Sequence, residues 1–433
     1  MPILLLYKPP DFLACYIIYC LQTLRIPHIS IILQQQHNTI AAMKIRFLLF
    51  LLFLLASMQQ CALAQTRLKA PLQFVSPDSV VIWGQDLTNL RGAAMSMLVD
   101  ATPRTVEVTK SQWKNFDVAV NNFKETSAKQ FSIVGGAGDP FAIPQGAAAA
   151  VALYQNASLL LMTGDARRAD DMERLVFNAL LHTVADTIHP RGTKDRLMAS
   201  EALLSAPGMM YCTDKEGIYA NFFLNSTTRI ATEQFSMIVD QNTEMPYGER
   251  VKFRFLGLSK KHLPFKFRLR MPLWATRQPG DGLNFCYVGK ERPAPTVYVN
   301  GHEWEQPTIE RGYLVIEREW RSGDEVFVDF PFDVQLLRRL DVEGKAQRGE
   351  VALQVGPLVY VCPEKYETAY FSESAAKDIV GKFNDYGVPY LSFNLYDATD
   401  VPADASARPV PVIAVPYMLC STADGTVWWR ECK

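Results

Sequence analysis

Phe265-Lys266-Phe267-Arg268-Leu269-Arg270-Met271 alternates large apolar and cationic side chains without a break. A strand turns successive side chains to opposite faces, so this run predicts a β-strand with one apolar face and one wet face. Val251, Phe253 and Phe255 alternate with Lys252 and Arg254 in the same way. Thr296 to Val299 leads into Asn300-Gly301, a dipeptide suited to the positive φ angles of a tight hairpin turn. Gly312 to Glu317, Val326 to Phe330 and Val351 to Val361 add further strands, so residues 207–363 are expected to form an antiparallel β-sandwich. Residues 364–433 carry Pro402, Pro409, Pro411 and Pro416, which mark loops or edge strands; Val412 to Tyr417 and Thr426 to Arg430 are two more strands expected to complete a β domain.

Upstream of Pro207-Gly208 the period lengthens. Trp113, Phe116, Val120 and Phe123 recur at helical spacing and predict one buried stripe. Gln145 to Met162 is alanine-rich, with large residues pointing to several faces, and reads as a helix buried all round. Thr163-Gly164-Asp165-Ala166 breaks that helix. Asp170, Asp171 and Glu173 then crowd the expected first turn of the next one, where negative charge complements the backbone dipole. The pair reads as a helical hairpin, the repeating element of helical bundles and toroids.

The 433 residues, 48% apolar and 21% charged, suffice for two or three folded domains. Lysine and arginine total 44 against 45 aspartates and glutamates. That balance provides no basic footprint for nucleic acid and favours a neutral or small polar ligand. Met43-Lys44-Ile45-Arg46, the apolar run Phe47 to Leu55, and Ala62-Leu63-Ala64 have the three parts of a secretory signal. Residues 43–64 are therefore expected to be a signal peptide, residues 1–42 an upstream extension preceding the true start at Met43, and the mature chain exported to the periplasm or the outside of a bacterium. The apolar run is too short for a spanning helix, so no membrane span is expected after cleavage. Of eight cysteines, Cys15, Cys20 and Cys61 precede that cleavage point. Cys212, Cys286, Cys362, Cys420 and Cys432 remain, widely spaced and without a C-x-x-C clip, which argues against a closed zinc site or a disulfide-dense fold.

Thr163-Gly164-Asp165-Ala166 through Glu173-Arg174 and Asn178 resembles the T-G-D-A-x-x-A-D-x-x-E-R-x-x-x-N segment of the bacterial β-L-arabinofuranosidases of glycoside hydrolase family 127. Tyr219-Ala220-Asn221, Arg270 through Ala275, Val299-Asn300-Gly301, Gly312-Tyr313, Gly356 through Tyr360 and Val415-Pro416-Tyr417 resemble pieces of that family in the same order. The resemblance implies an α+β multidomain fold: an (α/α)6 toroid of the six-hairpin glycosidase type, followed by an antiparallel β-sandwich. Residues 65–206 are long enough for only about half of such a ring. A partial toroid would expose apolar helix faces, which calls for a partner chain or oligomer to cover them.

The resemblance further implies a cysteine thiolate nucleophile, a zinc ion held by a glutamate and cysteines, and a second glutamate as general acid and base. Metal coordination keeps such a thiol ionised at neutral pH. The glutamate and cysteine ligands fall on Gln145 and Ala147, neither of which supplies the required donor, and the nucleophile falls near Lys194 and Asp195. The family's zinc site is accordingly expected to be lost, with no cofactor. Asp139, after Gly135-Gly136, is the candidate general acid, one methylene shorter than glutamate. Pairing Asp139 with Asp86, Asp165 or Asp214 would make a conventional two-carboxylate glycosidase, and spacing selects none of these pairs. Cys212 and His182 read as packing residues. Trp83, Trp274, Trp304 and Trp320 offer rings for sugar stacking, although Trp274 and Trp320 stand in strand or turn settings that favour the core. Two readings follow: an exported family 127-like protein of plant-glycan metabolism acting on L-arabinofuranosides with impaired or lost catalysis, or a non-catalytic carbohydrate-binding or assembly protein on the same scaffold. A shortened gene product without stable function is a third.

Overall fold

The computed structural model describes residues 67–83, 103–121, 146–185, 193–276, 285–288, 293–305, 307–340, 346, 349–363, 369–372, 378–385, 387–397, 408–420 and 429–431. Mostly β-structure, with a small helical layer, makes up these residues. The expected upstream extension, the signal peptide, Asp139, Gln145, Phe123 and Cys432 lie outside them.

Two sheets form the sandwich. The first has six strands among the described residues, in the order Gln73–Phe74, Tyr211–Thr213, Gly217–Ala220, Leu263–Arg270, Tyr313–Trp320, Thr308–Glu310. The second has seven, in the order His302–Glu303, Thr296–Val299, Glu325–Asp329, Arg250–Leu256, Ser236–Thr243, Ser226–Ala231, Val80–Ile82. Their apolar faces meet in an aromatic core. Phe253 and Phe255 of the second sheet lie edge-on to Phe267 of the first, with ring centroids 5.0 and 5.1 Å apart, and Trp320 sits 4.7 Å from Phe255. Edge-to-face contact places the positive rim of one ring on the negative face of another. The alternation read in Arg250–Leu256 is therefore real. Among the described strands of the sandwich one pairing breaks the antiparallel rule: Gly217–Ala220 runs parallel to Leu263–Arg270.

Residues 67–83, assigned to the helical region by sequence, instead add an edge strand to each sandwich sheet through Gln73–Phe74 and Val80–Ile82. Nor does the expected boundary at 363 coincide with a sheet boundary. Glu350–Val355 and Leu358–Val361 belong to a third sheet with Phe285–Val288, Val334–Arg339, Val380–Phe383, Pro389–Tyr396, Pro409–Pro416 and Trp429–Arg430. Pro409 and Pro411 pair only with Pro389–Tyr396, because Leu358–Val361 reaches no farther than Val415 and Pro416. The side lacking a donor faces away from the ladder, as proline requires.

Among the described residues the helices are α1 (Lys110–Lys114), α2 (Ala147–Thr163), α3 (Ala166–Arg174), α4 (Leu181–Ala185) and α5 (Thr193–Ser205), with a wide-turn π segment, Leu175–Leu180, joining α3 to α4. A capping box between Thr109 and Gln112 starts α1. Phe116 then packs with Leu159 and Met162 of α2, with Trp113 and Val120 against them, so the expected stripe holds as far as it is described. Helix α2 buries residues on nearly every side, from Ala149 to Thr163.

Thr163-Gly164-Asp165-Ala166 is a stop-and-restart signal. Gly164 takes φ +62° and donates to the Leu160 carbonyl (2.8 Å), closing α2, a left-handed position that glycine reaches without Cβ strain. Asp165 caps α3 through the Arg167 amide (3.1 Å). Because α3 starts at Ala166, Asp170, Asp171 and Glu173 lie beyond its first turn, and the dipole explanation for them is corrected. Asp171 pairs with Arg168 and Arg174 on the helix surface (3.2 and 2.7 Å), while Asp170 and Glu173 turn inward.

Candidate functional site

Most motifs behind the family resemblance contribute to the seam between the helices and the sheets; Val299-Asn300-Gly301 is instead a hairpin turn of the second sheet. Arg270, at the end of Leu263–Arg270, is fully buried and donates to both Asp170 and Glu173 of α3. Its Nε reaches the Asn221 carbonyl at 2.5 Å, and its guanidinium stacks 5.1 Å over the Phe223 ring. Glu173 also accepts from Trp274 Nε1 (2.9 Å), and Asp170 from the Leu273 amide (3.2 Å). Asn221 accepts from the Tyr313 hydroxyl at 2.7 Å and donates to the Met209 carbonyl at 3.0 Å. Asn178 clamps the third sheet, donating to the Pro357 carbonyl (3.0 Å) and accepting from the Val359 amide (2.9 Å). Gly312, at φ +84°, lets its strand close on α3, since a Cβ there would stand 2.6 Å from that of Ala166. These motifs therefore encode docking, and Trp274 and Trp320 are core side chains rather than sugar platforms.

Burial pushes the Asp170 carboxyl up to about 6; Arg270 opposes this, while the nearby Glu173 adds to it. Two carboxylates share one guanidinium, so one negative charge is in excess. Below the ordinary aspartate range the folded and unfolded chains both carry the proton, and above about 6 neither does. Within that window the folded chain keeps a proton that the unfolded chain releases, so this residue's contribution to stability falls as pH rises. Denaturant titrations at several pH values are expected to show the stability of the native chain, relative to Asp170→Asn, dropping by about 2 kcal/mol between roughly pH 4 and 6. A flat difference would refute it.

The positions where the resemblance places a metal ligand and the nucleophile do come together. At the start of α2 the Ala147 amide donates to Asp195 Oδ1 (2.9 Å), and the Gly146 amide donates to Thr183 Oγ1 (3.1 Å). Gly146 takes φ +61°, and a Cβ on it would lie 2.5 Å from that of Asp195. A carboxylate accepting from a first-turn amide at a helix N-terminus is a capping arrangement. Ala147 offers no donor atom to a metal, and among the described residues no group of three His, Cys, Asp or Glu side chains is placed to hold one. The residues described here thus do not fit the cysteine-and-glutamate zinc cage that the resemblance implies.

The other sequence candidates are separately engaged. Cys212 is fully buried and accepts from Asn221 Nδ2 (3.1 Å), and burial pushes its thiol well above the usual range, which removes it as a nucleophile. Asp165 caps α3. Asp214 accepts from the Glu216 and Gly217 amides, both at 2.8 Å, and from the Tyr219 hydroxyl at 2.9 Å, as a turn residue. His182 is buried, its ring centroid 4.5 Å from that of Tyr417. Asp139 and Asp86 lie outside the described residues. Sequence reasoning missed the capping role of Asp195, although counting along the resemblance had pointed to that position.

A largely antiparallel sandwich docked on a small helical layer, with a third sheet, is the architecture these contacts build. Residues 217–332, which span most of both sandwich sheets, match the family described as "Beta-L-arabinofuranosidase, GH127 middle domain". Among solved structures the chain is similar to a family 127 β-arabinofuranosidase (TM-score 0.56, 21% identity, 66% of this chain and 49% of that one). It is also similar to a family 127 β-L-arabinofuranosidase from Geobacillus stearothermophilus T6 (TM-score 0.57, 19% identity, 74% and 58%). A third similar structure is described as a glycoside hydrolase (TM-score 0.53, 19% identity, 66% and 52%). No curated protein matches. The chain spans about half the length of the solved relatives it resembles. The match over residues 217–332 and the likeness to these structures bear out the resemblance read from the motifs. Among the described residues no helix is long and apolar enough to cross a membrane.

Proposed function

We propose that this chain is an exported, family 127-like protein of plant-glycan metabolism whose thiolate-and-zinc catalysis is impaired or lost, and whose helical region, residues 65–206 apart from the edge strands at 73–74 and 80–82, is a partial toroid. The observation that carries this reading is the contact between Ala147 and Asp195. Where a metal-bound thiolate would be assembled, a carboxylate caps a helix beside a methyl group. Asp139 stays the candidate general acid, and a periplasmic or extracellular location follows from the signal-like segment at residues 43–64.

A chromogenic β-L-arabinofuranoside, assayed with and without added zinc, tests the reading. Zinc-independent residual turnover at most, lowered further by Asp139→Asn, is the expected result. Robust turnover that needs zinc and disappears when a cysteine is replaced would overturn it. The second reading, a non-catalytic carbohydrate-binding protein, is favoured by the same Ala147–Asp195 contact. Calorimetric binding of an arabinose-containing oligosaccharide in the absence of turnover would select it.

A further inference from the structure

The solvent face of the second sheet carries an open groove of about 540 Å³, in the size range of small-molecule sites. Its floor follows from register. Val297, Val299, Val326 and Val328 point into the sandwich, so Tyr298 and Phe327 point out. The two are directly paired across neighbouring strands, with ring centroids 5.9 Å apart and planes tilted by 48°. Phe327 in turn faces Lys252 on the next strand. One wall is the Arg250–Asp329 pair (3.3 Å), the other the Lys252–Glu325 pair (2.9 Å).

The chemistry of this surface selects its ligand. Two cations and two anions line the groove and cancel, so it has no net attraction for a charged chain. Two half-buried aromatic rings lie next to each other, flanked by the charged side chains of the groove. A sugar ring offers a face of weakly positive C–H groups to an aromatic π face, and a rim of hydroxyls that both donate and accept. Carboxylates and cations fixed around an aromatic floor meet that rim. We propose that the Tyr298–Phe327 groove is a binding platform for an uncharged saccharide chain, separate from the helix–sheet seam. The inference shares with the proposed function only the premise that the ligand is a glycan, and it does not require turnover.

Affinity electrophoresis of the full chain tests it, in native gels containing soluble arabinan, arabinoxylan or a β-glucan, with polygalacturonate as the acidic control. Retardation by at least one neutral polymer, little changed by added salt, is expected. The Tyr298→Ala/Phe327→Ala double variant should bind about tenfold more weakly, and Tyr298→Phe about as well as the native chain. Should the double variant unfold, Tyr298→Ala alone carries the test, with about threefold weakening. Undiminished retardation of the alanine variants sinks the groove but leaves a glycan-binding role standing. Retardation only by polygalacturonate, abolished by salt, also overturns the proposal, and no retardation by any polymer counts against both readings.

Discussion

Arg270→Met is expected to cost about 3–5 kcal/mol of folding stability near neutral pH, enough to leave much of the chain unfolded. The guanidinium is the group that Asp170 and Glu173 share inside the seam, and it also satisfies the Asn221 carbonyl. Methionine fills similar volume but leaves buried carboxylates facing apolar atoms. Protonation offers partial relief, so the penalty should shrink in mildly acidic buffer. A triple variant, Arg270→Met/Asp170→Asn/Glu173→Gln, should recover a large part of the loss. Neutral amides retain the Leu273 and Trp274 contacts without requiring a cation. Denaturant midpoints read the energetics, and the near-ultraviolet signal of Trp274 reports whether the seam has closed. A single variant as stable as the native chain would show that this network does not hold the two layers together.

Arg270 also shows how much of the fold was legible in the sequence. Strict alternation identified Leu263–Arg270 as a strand, and the aromatic core on its inner face follows directly. The opposite face was read as wet because every second residue is cationic. At the C-terminal end of the strand that inference fails: Arg268 and Arg270 are 5% and 0% exposed. Period two separates the faces of a strand but does not say whether water or a second layer covers the outer one. A buried arginine with carboxylate partners looks the same in sequence as a solvated one. Asp170 and Glu173 were misjudged for the matching reason, since their shared partner Arg270 lies about 100 residues away.

The candidate site was legible to a different degree. Ala147 and Asp195 are 48 residues apart, and no periodicity brings them together. Counting along the family's motif order did so, because fold and register persist after the reacting groups have changed. The aromatic groove was in principle visible in Thr296–Val299 and Glu325–Asp329, where valines claim every inward position. Its pairing, however, depends on strand order, which local pattern does not specify. The third sheet escaped for the same reason: it is assembled from segments as distant as Phe285–Val288 and Trp429–Arg430.

Gly217→Ala tests the parallel pairing of the sandwich, another feature that alternation could not anticipate. Gly217 lies opposite Lys266 in the parallel pairing, and a Cβ on it would stand 1.9 Å from the Lys266 carbonyl oxygen. That neighbour is backbone, so no side chain can swing aside. The Lys266 amide also donates to the Glu216 carbonyl at 2.9 Å, and Asp214 holds the turn through the Glu216 and Gly217 amides. Relief would require separating the two strands at the point where the first sheet changes direction. A loss of about 3 kcal/mol or more is expected, above the usual range for a single added methyl group. Gly323→Ala is the control: its φ is +98°, but a Cβ there meets nothing within 4 Å, so only backbone strain of about 1 kcal/mol should appear. Thermal or denaturant unfolding of the two variants side by side separates close approach from strain. Equal midpoints would mean that the parallel pair yields easily, and the sandwich would then owe its geometry to its antiparallel ladders alone.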